Sequence, residues 1–152
     1  MTTFEFIRTD SDNPDFIELV RQLDADLARR DGDDHPFYAQ FNKLDSIRHT
    51  VVAYENAVAV GCGAIKRFDG RAMVIKRMYV LPEHRGEGIA TRILLELEKW
   101  ARELSYENCI LETGKRQPEA ISLYKKNGYN LIENYGQYVG IDNSVCFKKE
   151  LV

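Results

Sequence analysis

The stretch "MYVLPEHRGEGIATRILLELEKWA", Met78 to Ala101, constrains this chain more than any other. A β-prone run meets a proline, turns a corner carrying Gly86 and Gly88, and enters a long amphipathic helix. Ile89, Ala90, Ile93, Leu94, Leu97, Trp100, Ala101 and Leu104 recur at helical spacing, with Arg92, Glu96, Lys99 and Glu103 on the other side. Such a helix must lay its apolar stripe on a sheet. Its first turn leaves backbone N–H groups without intrahelical acceptors, and glycines let that backbone approach an anion with no Cβ in the way. Arg85 adds charge and Thr91 a hydroxyl, so the corner reads as a cradle for a diphosphate.

The rest of the chain supplies the sheet. Phe4 to Arg8 alternates as a strand, and Asn13 before Pro14 is an N-cap and first-turn pair opening a helix. That helix carries Phe16, Ile17, Val20, Leu23 and Leu27 on one face and runs to Arg30. "DGDDHPFYAQFNKLDS" breaks the pattern and reads as a loop with a short second helix. "HTVVAY", "AVAVGCGAIKRF" and "AMVIKRMYV" are β-rich runs split by short polar turns, the pattern of an antiparallel meander. "NCILET", a helix over Glu119 to Asn127, "YNLIEN" and "SVCFKKEL" follow. The predicted class is α+β, an α/β/α sandwich whose mixed, mostly antiparallel sheet of about seven strands has helices on both faces.

At 152 residues the chain is expected to form a single domain, 1–152. Hydrophobic residues at 44% and charged residues at 30% match a soluble globular protein. No apolar run approaches the ~20 residues that cross a bilayer, and "MTTFEFIRTD" lacks the regions of a signal peptide, so a cytoplasmic location with no membrane partner is expected. A net charge of −3 argues against coating nucleic acid. Cys62, Cys109 and Cys146 are spaced as reduced core thiols, and with His35, His49 and His84 they show no metal-ligand pattern, so no metal is expected.

Common nucleotide motifs do not fit the corner. A dinucleotide fingerprint needs G-x-G-x-x-G, whereas R-G-E-G-I-A stands here, and no G-x-x-x-x-G-K-[ST] run occurs. The string from Met78 to Ala101 instead resembles the coenzyme A signature of the GNAT (GCN5-related N-acetyltransferase) superfamily. Its pattern [QR]-x-x-G-x-[GA] is met by Arg85, Gly88 and Ala90. "ISLYKKNGY" and the order of elements along nearly the whole chain are also similar to that family. "IKRMYV", "LETGKRQPEAISLYKKNGY" and "SVCFKKEL" resemble small bacterial members, some of which are fused to MarR-type regulators.

The resemblance implies acetyl-CoA as cosubstrate. Backbone N–H groups of Arg85, Gly86, Glu87, Gly88, Ile89, Ala90 and Thr91 would bind the pyrophosphate, and Met78, Tyr79 and Val80 would pair with the pantetheine arm. It further implies that the strand through Tyr79 splays away from "NCILET", leaving a gap for the thioester.

Acetyl transfer to an amine requires a base for the amine proton, a donor for the developing oxyanion and a proton for the leaving thiolate. Tyr124 matches the family tyrosine near the coenzyme A sulfur. Aligned through "MYV", the glutamate of histone-type members is replaced by Val74, and Glu112 in "LETG" becomes the candidate base; its alternative role is pairing with Arg77 or Lys76. Asp33, Asp34, His35, Tyr38, Tyr135 and Tyr138 form an acidic, aromatic set suited to a cationic amine. Arg77 and Arg116 would equally suit a substrate carboxylate. The function expected is N-acetylation of a primary amine on a small or amino-acid-like molecule, by direct attack in a ternary complex. The alternatives are a protein or peptide N-acetyltransferase and a non-catalytic acyl-CoA sensor. A homodimer is the guess for small domains of this type.

Overall fold

A computed structural model describes residues 2–39 and 46–152. The elements run β1 (Phe4–Thr9), α1 (Pro14–Asp31), α2 (His35–Ala39), β2 (His49–Glu55), β3 (Val58–Arg67), β4 (Ala72–Val80), α3 (Ile89–Glu103), β5 (Asn108–Gly114), α4 (Pro118–Lys126), β6 (Asn130–Ile132) and β7 (Ser144–Glu150). They build a seven-stranded sheet in the order β1-β2-β3-β4-β5-β7-β6. Only β4 and β5 run parallel, as the helical crossover α3 between them requires. This is the mixed sheet anticipated. Within "DGDDHPFYAQFNKLDS", the short helix is α2, and residues 40–45 of that stretch lie outside the described residues.

Strand alternation sends neighbouring residues to opposite faces. Val51 and Ala53 pack with Ile93, Leu94 and Leu97 of α3 and with Tyr124 of α4. Val52, between them, packs with Phe16, Leu19, Val20 and Leu23 of α1. The helices therefore cover both faces. Fully buried Leu94 and Leu97 each contribute about 1.5–3 kcal/mol of hydrophobic stabilisation. Gly63 lets α3 sit this close: a Cβ there would meet the Met78 sulfur at 2.5 Å and Ile93 and Leu97 side chains at 2.9 Å.

Details differ from the sequence reading for local reasons. The Asn13 side chain accepts from the N–H groups of Asp15 and Phe16, as a cap should. Ile17, however, is 41% exposed, because the α1 stripe centres on Phe16, Leu19, Val20 and Leu23 and turns Ile17 aside. Leu104 lies one residue past α3 and is exposed. In β4, Cys62 faces Tyr79 and Ala64 faces Lys76, so Arg77 and Met78 together oppose Gly63. This bulge puts Arg77 at φ +59°, a left-handed conformation that is strained for a residue with a Cβ. The Cys62 thiol donates to the Arg77 carbonyl at 3.3 Å, steadying it.

Candidate active site

Pairing between β4 and β5 ends at Val74 and Ile110, whereas β5 continues against β7 as far as Gly114 opposite Ser144. The two parallel strands splay beyond that point, and a cleft of about 320 Å³ opens there. Strand β4 contributes Val74, Lys76, Arg77 and Met78; β5 contributes Glu112, Thr113 and Gly114. Leu23, Leu27 and Asp31 of α1, Tyr38, Tyr124 of α4, and Tyr135 and Tyr138 enclose it.

Glu112 is the most perturbed acid in the cleft. Burial pushes its carboxyl up to about 7, with the charge of Asp31 adding to the rise and Ser144 and Lys76 opposing it. Its Oε2 atom is buried without a hydrogen-bond partner. The Ser144 hydroxyl in turn lies 2.8 Å from the Tyr38 hydroxyl. Such a carboxylate is mostly ionised just above neutrality yet basic enough to take a proton.

Tyr124 packs edge-on against Tyr129 with centroids 5.7 Å apart. Burial first, and the Glu112 charge second, hold its phenol well above the ordinary tyrosine range, so it stays protonated. Burial likewise raises Tyr135 and Tyr138. Their rings meet edge-on at 5.9 Å, and Phe68 meets Tyr135 at 5.3 Å, giving one aromatic wall.

At the corner, a short 3-10 turn over Pro82–His84 leads into the glycines. Gly88 caps α3 at φ +80° with no side-chain cap, and Gly86 stands at φ +85°. A Cβ at either position would meet nothing within 4 Å, so the space over the corner is open. Among the described residues, the N–H groups from Gly86 to Thr91 find no acceptor; the first helical bond runs from Arg92 N–H to the Gly88 carbonyl. Arg85 donates from Nε to the Val80 carbonyl at 2.9 Å and stacks over Tyr79, bracing the corner on β4. The His84 Nδ1 atom lies 2.7 Å from a Glu55 carboxylate oxygen, tying the corner to the β2–β3 turn. With Glu87 these are the described side chains whose potential ligand atoms converge, within 4.8 Å. A diphosphate fits this open array of donors; the side chains beneath it are occupied by structural contacts.

A family model for the acetyltransferase (GNAT) family matches residues 15–129, spanning α1, the meander, the glycine corner and α4. The chain belongs to the GNAT acetyltransferase family. It is an acetyltransferase, and acetyl-CoA is its cosubstrate. An IAA acetyltransferase of Azospirillum brasilense is 35% identical over 143 residues, covering 89% of this chain and 90% of that protein. A Klebsiella pneumoniae structure assigned as an acyl-CoA N-acyltransferase superposes with a TM-score of 0.78 at 29% identity, covering 99% of both chains. The PaiA N-acetyltransferase of Thermoplasma acidophilum, solved with coenzyme A, shares the fold at a TM-score of 0.71 and 16% identity, covering 97% of this chain and 99% of that one.

Within this GNAT frame the fold brings Glu112, Tyr124, Tyr38, Arg77, Tyr135 and Tyr138 to one cleft. Arg77 pairs with Asp24 at 3.3 Å. Asp33, Asp34, His35 and Arg116 are not among the lining residues. Arg116 donates to the Asp31 carbonyl and lies 3.5 Å from Asp34, so its charge is spent on the end of α1. Two lining groups escape the sequence reading or its weighting. Asp31 follows Leu23 and Leu27 at four-residue spacing, a signal hidden by ending α1 at Arg30. Ser144 reaches Glu112 only through the β5–β7 pairing, which no local pattern announces. No helix among the described residues is long and apolar enough to cross a membrane.

Proposed function

We propose that this acetyltransferase moves the acetyl group of acetyl-CoA to a primary amine on a small molecule, by direct attack within a ternary complex. The observation that carries this reading is Glu112: a buried carboxylate titrating near 7 with an unpartnered Oε2, beside the gap where β4 and β5 part. It replaces the carboxylate absent at Val74. Acetyl-CoA supplies an activated acyl thioester; the protein supplies placement and proton transfer.

The corner from Arg85 to Thr91 binds the pyrophosphate through backbone N–H groups, and Met78 to Val80 direct the arm along β4 toward the splay. Glu112 takes the proton from the incoming ammonium, freeing the nitrogen lone pair to form the new C–N bond. A backbone N–H near Tyr79 or Val80 faces the carbonyl oxygen as charge builds on it. The C–S bond breaks as sulfur leaves with the electron pair, and the Tyr124 phenol donates the proton that sulfur takes up. Cys62 and Cys109 do not serve as acyl carriers, since burial pushes both thiols up to about 12. The cleft is enclosed on several sides and has the volume of a small-molecule site, which favours a small acceptor over a protein segment.

The test is release of free coenzyme A from acetyl-CoA in the presence of a panel of small amines and lysine-containing peptides. Turnover with free amines supports the reading. Turnover confined to peptides moves the acceptor to proteins, and binding without turnover makes the chain a sensor.

A further inference from the structure

Two acids, not one, open onto the cleft. Asp31 is 4% exposed, among the most buried charged residues described. Its carboxylate makes no hydrogen bond or salt bridge among the described residues, because Arg116 engages its carbonyl and Asp34 instead. His35 and Arg116 act on it only through space, and Glu112 feels its charge across the cleft. The Glu112 Oε2 atom is also buried and unpartnered. Two desolvated carboxylates facing one cavity are costly unless a ligand brings compensating positive charge.

The surface between them is apolar and aromatic. Leu23 and Leu27 precede Asp31 on the same face of α1, and Tyr38, Tyr135 and Tyr138 stand opposite. That combination suits a methylene chain passing over leucines, with tyrosine faces available to a cation. On the β4 side, Lys76 acts electrostatically on Glu112 and Arg77 pairs with Asp24, so both cations already serve carboxylates of the protein.

Resting on the amine-acetyltransferase reading above, we infer that the acceptor is a diamine: one nitrogen reacts at Glu112 while Asp31 holds a second ammonium at the far end of the cleft. Asp31 is then the residue that determines specificity. A monoamine leaves it buried and uncompensated, and an amino acid presents a carboxylate to it.

The experiment compares isosteric acceptors with the full-length protein and acetyl-CoA: 1,4-diaminobutane, butylamine and 4-aminobutanoate, with longer diamines to find the best span. One charge-assisted contact predicts a kcat/KM for the best diamine about tenfold or more above that for butylamine. In Asp31→Asn this ratio falls toward one through KM, and Asp31→Ser, which changes shape as well as charge, shows the same collapse. The ratio is read within one protein sample, so a loss of folded enzyme does not mimic it. Equal use of butylamine and diamines by the wild type overturns the inference while leaving the amine reading intact, as does preference for 4-aminobutanoate or an unchanged ratio in Asp31→Asn. If acetyl-CoA binds and no amine is acetylated, the amine reading itself falls and the inference with it.

Discussion

Glu112 on β5 and Tyr124 on α4 face one cleft, and the Glu112 charge adds to burial in holding the Tyr124 phenol protonated. The two groups are thereby driven to opposite proton states near neutrality, one able to accept and one able to donate.

Replacing Tyr124 with Phe separates its chemistry from its packing. The ring keeps its place against Tyr129 and Phe147. The expected result is a kcat lower by about 10- to 100-fold, with acetyl-CoA affinity and melting temperature near the wild type. Steady-state kinetics and a thermal melt check both; an unchanged kcat leaves Tyr124 a packing residue.

Gly88→Val tests the phosphate cradle. A β-branched residue at φ +80° strains the backbone by about 1–3 kcal/mol and pushes a side chain into the open space above the corner. Gly140→Val carries a similar strain at φ +79°, also in open space but away from the corner. Calorimetric titration with acetyl-CoA is expected to show loss of affinity for the first variant and retention for the second, at comparable cost in stability.

Cys62→Ala and Cys109→Ala report on the route of the acetyl group. Both thiols are buried and held protonated, so each variant is expected to keep its turnover while losing about 1 kcal/mol of stability from the vacated volume. Denaturing mass spectrometry after mixing with acetyl-CoA is expected to show no acetylated protein. Loss of turnover in a folded variant contradicts direct transfer.

A raised carboxylate also marks stability. Glu112 titrates near 7 in the folded chain against an ordinary value of 4.5. Between those values the unfolded chain binds fewer protons, so this group lowers stability as pH rises through the window, and the penalty is complete above it. Glu112→Gln is therefore expected to stabilise the protein by about 1–3 kcal/mol well above neutrality and to change little in mild acid. Urea unfolding at the two pH values measures the difference.

The sequence was most legible where one residue type alone satisfies the backbone. Gly86 and Gly88 announced a left-handed corner, and the four-residue spacing of Ile89, Ile93 and Leu97 announced the helix behind it. The splay was foreseen through family resemblance and not through any local pattern. Arg77 at φ +59° was invisible, because the bulge arises from pairing across Gly63 and "IKRMY" reads as ordinary strand. The cleft's chemistry was half legible. Glu112 stood out as an acid in an apolar strand, but Ser144 and Asp31 join it through tertiary packing that linear spacing does not encode.

The most direct test of the account is the pH dependence of kcat/KM for acetyl transfer to a small amine, measured for the wild type and Glu112→Gln at saturating acetyl-CoA. The account predicts a wild-type rate that rises through an apparent pKa of about 7 as Glu112 ionises. It predicts a variant slower by about 10²- to 10⁴-fold that lacks that limb and binds acetyl-CoA normally. A Glu112→Gln protein that keeps both the wild-type rate and the limb near neutrality would contradict it.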